Sequence, residues 1–343
     1  MVTWFDESRL DDESALSAHD LVLRGLAESG ARVRREAGEA APAIDEAVAR
    51  AAEQARPRTV IAAGPDSRLL RAVLEPWCPV PFVAWPGPAL PGWAGSLDLV
   101  VVLAPQGSDQ DTASAVAEAV RRGCQLVVAC PERSLVAEHA AGRDSIVLPT
   151  VTGDQLATAV VVLELLDLLD LAPVSKPGVV ADALDEVAVN CSPFRDIAVN
   201  PAKNLASAIA DTQPMLWGGT VLAARAARRV AESIRRATGR PALAADVEHL
   251  LPVIELAPEA DVFADPFADV DDGGDMRPSL VVLDDASEES TVRQSRSRLL
   301  AAAERRGVRT ETVTSEADGD LARYAALLAT GQFAATYLEV GLG

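Results

Sequence analysis

The sequence predicts an α/β fold made of two parallel sheets, each flanked by helices. The first observation is that short Val-, Ile- and Leu-rich segments alternate with longer Ala-, Arg- and Leu-rich segments, as strands and helices do around a parallel sheet. The second is that the alternation stops at the Pro-containing segment 172–178 and then starts again. The third is composition: 49% of residues are hydrophobic but only 4% aromatic, which suits helices packed on parallel strands.

The first half opens with an Ala-rich helical pattern over 13–56 that is broken near Pro42. A long helix is predicted at 156–172, where Glu164, Asp167 and Asp170 recur every three residues. We expect these carboxylates to form one solvated face, and such a stripe argues against a membrane span. Between these helices, apolar runs predict strands at 59–63, 79–85, 100–103, 124–130 and 145–149.

The second half repeats this order of elements. A helix that contains the segment 200–203 leads to a strand at Met215–Trp217, a Gly-Gly-Thr turn and a long helix. Two further strand–helix pairs complete the pattern. They are predicted at 278–285 with 291–307, and at 308–314 with 320–340. The expected domains are 1–155 (N-terminal helices plus the first sheet), 156–182 (connecting helix and linker) and 183–343 (the second sheet).

Charge and cysteine usage limit the classes of partner. A net charge of −20 repels nucleic acid and anionic membranes, so neither is expected as a partner. The start lacks a basic segment followed by an apolar one, so no signal peptide is predicted. The four cysteines show no metal-ligand spacing, and the acidic stretch 255–278 lacks the spacing of a calcium loop. We expect a cytoplasmic protein without metal or cofactor, in which 255–278 is a solvated loop.

Three turns at strand-to-helix junctions are the candidate ligand sites. Ligands of open α/β sheets bind beyond the carboxyl ends of the strands, and helix starts offer free amides to phosphates or sugar hydroxyls. The same serines and threonines are also good helix caps, so each turn has a purely structural interpretation as well. The candidate ligand-binding residues are Gly64, Ser67, Gln106, Gly107, Ser108, Thr112, Gly218, Gly219 and Thr220.

Three segments resemble one known family in matching order. They are LPGWAGSLDLVVVLAPQGSDQDT (90–112), VNPAKNLASAIADTQPMLWGG (199–219) and LARYAALLATGQFAATYLEVGLG (321–343). The sequence resembles the bifunctional phosphoglucose/phosphomannose isomerases, which have two sugar-isomerase (SIS) domains. The resemblance implies two flavodoxin-like SIS domains and a homodimer. It also implies a site near the subunit interface that interconverts aldose and ketose 6-phosphates.

The chain departs from that family where phosphate should bind. The family's loop S-Y-S-G-N-T-E-E-T aligns with 104–112, where serines are lost and Asp109 replaces a hydroxyl. The family's G-G-S turn is 65–67 here, with Asp66 added, and Gln155 stands where an arginine is expected. An added carboxylate opposes phosphate by several kcal/mol at moderate effective dielectric.

The chain also departs from the family at the position of the catalytic base. The family's glutamate aligns with Arg236, which cannot accept a proton near neutral pH. The family's histidine aligns with His249, which is kept as a catalytic candidate although its flanking residues differ.

Three hypotheses remain open. The first is a divergent SIS protein that binds a sugar phosphate or a related carbohydrate derivative with weak or no isomerase activity. The second is an active aldose–ketose 6-phosphate isomerase that uses His249 or Glu248 as its base. The third is a non-catalytic interaction protein.

Overall fold

The computed structural model describes residues 4–51, 55–258 and 276–343, in which helices and strands alternate along most of the chain. The helices are α1 Glu13–Ser17, α2 Asp20–Ala27, α3 Ser29–Ala51, α4 Ser67–Leu74, α5 Gln110–Arg121, α6 Leu135–His139, α7 Gln155–Leu168, α8 Pro177–Asn190, α9 Pro201–Ile209, α10 Val221–Thr238, α11 Val247–Glu255, α12 Ser290–Arg306 and α13 Asp320–Leu342. The strands are β1 Thr59–Ala63, β2 Phe82–Trp85, β3 Asp98–Leu103, β4 Gln125–Cys130, β5 Ser145–Pro149, β6 Gln213–Gly218, β7 Leu243–Ala244, β8 Pro278–Asp284 and β9 Arg309–Thr314.

The chain divides into two compact units. Residues 29–182 form the first unit, and residues 1–28 together with 183–343 form the second. The sequence-based domains differ in how they assign the N-terminal helices, because 1–28 pack with the C-terminal part of the chain. The segment 156–182, expected as a connector, packs within the first unit.

Each unit is built on one parallel sheet, and this confirms the predicted α/β class. In the part of the chain that the structure describes, the first sheet has the order β2-β1-β3-β4-β5 and the second the order β7-β6-β8-β9. All strand pairs are parallel. The first order is that of flavodoxin-like folds. β1 and β3 are fully buried, as their continuous apolar runs predict for strands covered on both faces.

Helix α7 lies against α3 and β3 in the middle of the first unit. Nearly all its side chains from Ala157 to Leu166 are buried. The expected acidic face is therefore wrong in part: Glu164 and Asp167 are half-buried, and Asp170 lies beyond the helix end with a φ of 56°. Burial, and to a smaller extent the nearby Asp167 carboxylate, raises the pKa of Glu164.

The raised pKa of Glu164 gives a testable pH dependence. Protonated Glu164 stabilises the fold below the unfolded pKa of about 4.3, and this stabilisation is lost as pH rises through the higher folded pKa. The variant Glu164→Gln is expected to unfold at a temperature roughly 2 °C higher than the natural chain at pH 7.5, and at an equal temperature at pH 4. Thermal unfolding followed by circular dichroism measures this. Glu39→Gln, on an exposed position of α3, should change neither value.

Helix α13 is the centre of the second unit. Most of its side chains are buried, including Tyr324, Phe333 and Tyr337, and it packs on α10, α9 and α2. Gly331 permits one of these contacts, because a Cβ there would lie 2.2 Å from Val230 Cγ2. The second core layer, between the sheet and α11 and α12, contains Met215, Leu280 and Leu299.

Some elements differ from the sequence-based expectation. Helix α3 runs through Pro42, and the N-terminal helices are interrupted instead between α1, α2 and α3. Packing of the buried face of α3 outweighs the loss of one backbone hydrogen bond at Pro42. Helices α8 and α11 and strand β7 were not predicted from the sequence. Most of the expected acidic loop, residues 259–275, lies outside the described residues.

No helix in the described ranges has the length and apolar character that a membrane crossing requires.

Candidate functional site

The carboxyl edge of the first sheet brings three loops together. Gly64, with a φ of 89°, follows β1, and a Cβ on it would lie 3.3 Å from the hydroxyl of Thr112 after β3. Gln106 Nε2 donates a hydrogen bond of 3.0 Å to the carbonyl of Gly153, after β5. Gly107 has a φ of 65° and lies so close to Ser134 that a Cβ would stand 2.4 Å from the serine Cβ. The structure therefore gathers the predicted residues Gly64, Gln106, Gly107 and Thr112 at one edge.

The chain's own carboxylates occupy the helix starts at this edge. Asp109 accepts a bond of 2.8 Å from the Thr112 amide and also accepts the Thr112 hydroxyl. Asp154 accepts from the Ala157 amide at 3.0 Å and forms an ion pair of 2.7 Å with Arg32. At the start of both α5 and α7, one backbone amide that a bound anion could use is therefore already occupied by a side-chain carboxylate.

A third carboxylate, Glu36 of α3, is buried and lies against the loop after β5. It accepts hydrogen bonds from the amides of Val151 and Thr152, the shortest of 2.7 Å, and from the Thr152 hydroxyl. Two successive backbone N–H groups aimed at one carboxylate form an anion-binding concavity. Here the anion is a side chain of the same unit. The sequence carried a signal for it, because Glu36 falls among Val33, Ala40 and Ile44 on the apolar face of α3.

Two hydroxyls at the same edge have no hydrogen-bond partner among the residues that the structure describes. Ser67, the first residue of α4, is 1% exposed, and Thr150, directly after β5, is 5% exposed. Neither Ser67 Oγ nor Thr150 Oγ1 contacts a donor or acceptor. Buried polar atoms are rarely left in this state, which makes the two hydroxyls candidate ligand contacts. Beside Ser67, the side-chain amide of Gln155 donates to the Asp66 carboxylate. Gln155 is the residue that aligns with the arginine of the isomerase family, so a neutral group stands where that family has a cation. Ser108 is exposed.

In the second unit the Gly-Gly-Thr turn has a packing role. A Cβ on Gly218 would lie 2.2 Å from the Ala223 carbonyl carbon, and one on Gly219 would lie 2.3 Å from Val292 Cγ1. Thr220 caps α10 by accepting from the Ala223 amide at 3.1 Å, and its hydroxyl donates to Asp285. The hydroxyl predicted to contact a ligand thus contacts a carboxylate.

Arg236 and His249 lie apart from one another in this unit. Arg236 is exposed on the last turn of α10 and forms an ion pair of 2.5 Å with Glu232. It is about 24 Å along the helix from Thr220, at a rise of 1.5 Å per residue. His249 is exposed on the first turn of α11, after β7. The hydrogen bond and charge of Arg298 lower the pKa of its neighbour Glu248, which weakens that carboxylate as a base.

The NPAK segment, which carried the resemblance, also has a structural role. Asn200 caps α9 by accepting from the amides of Ala202 and Lys203, both at 3.1 Å. Lys203 is fully buried and donates to Asp11 Oδ1 at 2.6 Å and to the carbonyls of Pro193 and Arg195. In the described ranges, no group of three or more His, Cys, Asp or Glu side chains is arranged to hold a metal ion.

Comparisons with known proteins agree with this fold. Residues 198–343 match the bacterial phospho-glucose isomerase C-terminal SIS domain. A comparison with curated protein sequences gave no match. Among solved structures, tagatose-6-phosphate ketose/aldose isomerase from Escherichia coli is 13% identical with a TM-score of 0.63, over 93% of this chain and 94% of that one. The C-terminal domain of glucosamine-fructose-6-phosphate aminotransferase from Francisella tularensis is 11% identical with a TM-score of 0.57, over 91% and 96%.

At these identities the likeness shows the fold. Residues 198–343 match an SIS domain, and the chain as a whole shares the two-sheet α/β fold of these solved structures, as the sequence predicted.

Proposed function

We propose that this protein binds a carbohydrate derivative at the carboxyl edge of the first sheet and has weak or no aldose–ketose isomerase activity. It would then be a divergent relative of the bifunctional phosphoglucose/phosphomannose isomerases, acting as a cytoplasmic homodimer. The observation that carries the proposal is that the Asp109, Asp154 and Glu36 carboxylates already accept hydrogen bonds from four backbone amides of this edge.

A phosphate group would meet an unfavourable field at this edge. It would compete with tethered carboxylates for the same amides, and each displaced carboxylate would remain within a few ångströms of the phosphate charge. At that separation the repulsion amounts to several kcal/mol at moderate effective dielectric. The guanidinium group of Arg32 offers little compensation, because it already forms an ion pair of 2.7 Å with Asp154. A neutral or weakly charged ligand avoids this cost.

The unpartnered hydroxyls support a ligand rich in hydroxyl groups. Ser67 Oγ and Thr150 Oγ1 can each donate or accept a hydrogen bond. A sugar hydroxyl can do the same, so it can pair with either of them in either direction. Gln106, on the loop after β3, and Gln155, the first residue of α7, add neutral polar side chains.

Proton transfer between C1 and C2 of a sugar phosphate needs a base with a suitable pKa within reach. Arg236 stays protonated and lies at the opposite end of α10 from the strand end. Arg298 lowers the pKa of Glu248, and His249 is exposed, so water competes for its ring nitrogens. These features support low catalytic activity.

We expect turnover of fructose 6-phosphate to glucose or mannose 6-phosphate to fall about 10²–10⁴-fold below that of an enzyme with a positioned base. A coupled dehydrogenase assay measures it. The same assay on Arg236→Glu combined with Asp109→Thr, with folding checked by circular dichroism, is expected to show no gain in turnover, because Arg236 lies about 24 Å along α10 from Thr220. Turnover of the natural chain near ~10 s⁻¹, the median for enzymes, would overturn the proposal in favour of an active isomerase.

Ligand class is tested separately by titration calorimetry with mannose, fructose and their 6-phosphates. We expect the neutral sugars to bind at least as tightly as the 6-phosphates. We also expect Ser67→Val to abolish this binding. Tighter binding of the phosphates would contradict the role assigned to the carboxylates. Asp111→Asn, an exposed change beside the site, is the matched control.

A further inference from the structure

The two sheets share one strand order and differ at one edge. In the first sheet the fourth strand in sequence, β4, pairs with a fifth, β5. In the second sheet the corresponding strand, β9, pairs with β8 alone among the described residues, and the chain continues into α13. The side of β9 that corresponds to the β5 position is therefore an open strand edge.

This edge presents backbone groups that can pair. The Ser315 amide donates to the Asp284 carbonyl at 3.0 Å. Every second residue of β9, counted back from Ser315, therefore directs its backbone N–H and C=O groups toward β8. The amides and carbonyls of Thr310, Thr312 and Thr314 alternate with these and point to the open side. Edge strands are commonly protected by charged side chains, proline or a bulge. β9 carries Arg309 and Glu311 but no proline, and three β-branched threonines follow one another at every second position.

A groove of about 610 Å³ runs beside the edge. One wall is β9 with the loop that follows it, the other is α8, and the floor comes from α9 and α13. Every charged side chain that lines the groove is a carboxylate: Glu186, Glu311 and Glu316. The remaining polar lining is neutral and includes Asn190 and Asn204. The groove therefore favours a cationic occupant, and the net charge of −20 adds a long-range attraction for one.

We propose that this groove binds an extended segment of a partner protein that carries lysine or arginine and adds to β9 as a fifth, parallel strand. The backbone of the segment would pair with the three outward threonines, and its cationic side chains would lie among the three glutamates. Strand addition of this kind takes its affinity from main-chain bonds and its specificity from alternate side chains. The open edge favours a peptide over a small cation, since a small cation leaves the backbone groups of β9 unused. The inference does not depend on the proposed carbohydrate site.

The probe is a fluorescein-labelled peptide of alternating valine and lysine, five residues long, measured by fluorescence anisotropy. It is expected to bind, and to bind at least tenfold more tightly than the same peptide with glutamate in place of lysine. A third peptide, N-methylated at alternate backbone nitrogens, keeps the charge but cannot pair, and it should bind at least tenfold more weakly than the first.

Variants of the chain test each half of the proposal. Thr312→Pro removes an outward amide without touching the β8 pairing and should abolish binding; Thr312→Lys is a second edge variant if the first fails to fold. Glu311→Gln with Glu316→Gln should weaken binding about tenfold. The matched control is Glu288→Gln with Glu304→Gln, which removes two exposed carboxylates elsewhere and should leave binding unchanged.

Three outcomes would overturn the proposal. One is the absence of binding at millimolar peptide. Another is equal loss of affinity in the control variant, which would indicate attraction by net charge alone. The last is binding that survives Thr312→Pro and N-methylation and is displaced by spermidine, which would indicate a small-cation site.

Discussion

Replacement of Lys203 by methionine is expected to cost the second unit roughly 3 kcal/mol of unfolding free energy. Breaking a buried ion pair by removing one partner typically costs about 3–5 kcal/mol. The lower end applies because Asp11 has a side chain that is 54% exposed and can be hydrated when its partner is lost. The carbonyls of Pro193 and Arg195 lose their donor as well, and Tyr337 loses the ammonium group 5.6 Å from its ring centre.

Urea unfolding, followed by the intrinsic fluorescence of Trp217 in β6, measures this loss. Methionine keeps the length and apolar volume of the lysine stem, so the loss reports the ammonium group and not a cavity. Asp11→Asn tests the pair from its other side and should cost roughly as much, because it leaves the fully buried ammonium group of Lys203 without its counter-charge. Equal stability of Lys203→Met and the natural chain would show that the NPAK lysine is kept for another reason.

The second large effect concerns Glu36. Glu36→Ala removes the acceptor of the Val151 and Thr152 amides and is expected to destabilise the first unit by roughly 2 kcal/mol, because two partly buried donors lose their partner and water replaces it only in part. The space and the two amides left behind suit a small anion. Inorganic phosphate should therefore restore stability to the variant, by about 2.7 kcal/mol at a hundredfold excess over its Kd.

Thermal unfolding of Glu36→Ala in phosphate and in chloride of equal ionic strength gives the comparison. Phosphate stabilises many proteins non-specifically, so the readout is the gain of the variant over that of the natural chain. Glu39→Ala serves as the control, because Glu39 lies three residues after Glu36 in α3 and is exposed. Phosphate should stabilise this variant no more than it stabilises the natural chain. An equal gain in all three proteins would contradict the anion-concavity interpretation of the loop after β5.

Local patterns were sufficient for the fold and for the edge at which the candidate loops of the first sheet meet. The run Val100–Leu103 predicted a buried strand because strands covered on both faces exclude polar side chains. Gly64 and Gly107 predicted turns, and both have the positive φ that favours glycine. Strand ends of a parallel sheet meet at one edge, so the candidate loops had to be neighbours. Helix α11 escaped prediction because Pro252 and a short apolar run obscure its period.

What the sequence by itself determined is therefore the two-sheet architecture, most of its strands and helices, and the edge at which the candidate loops of the first sheet meet, since these depend on periodicities a few residues long. Only the tertiary structure decided which groups at that edge are available. Glu36 meets Thr152 across 116 positions of sequence, and Asp154 meets Arg32 across 122. It also decided that β9 ends its sheet beside an acidic groove. Hydrogen-bond satisfaction is a property of pairs brought together by packing, and no local pattern specifies which distant carboxylate will fill a given set of amides.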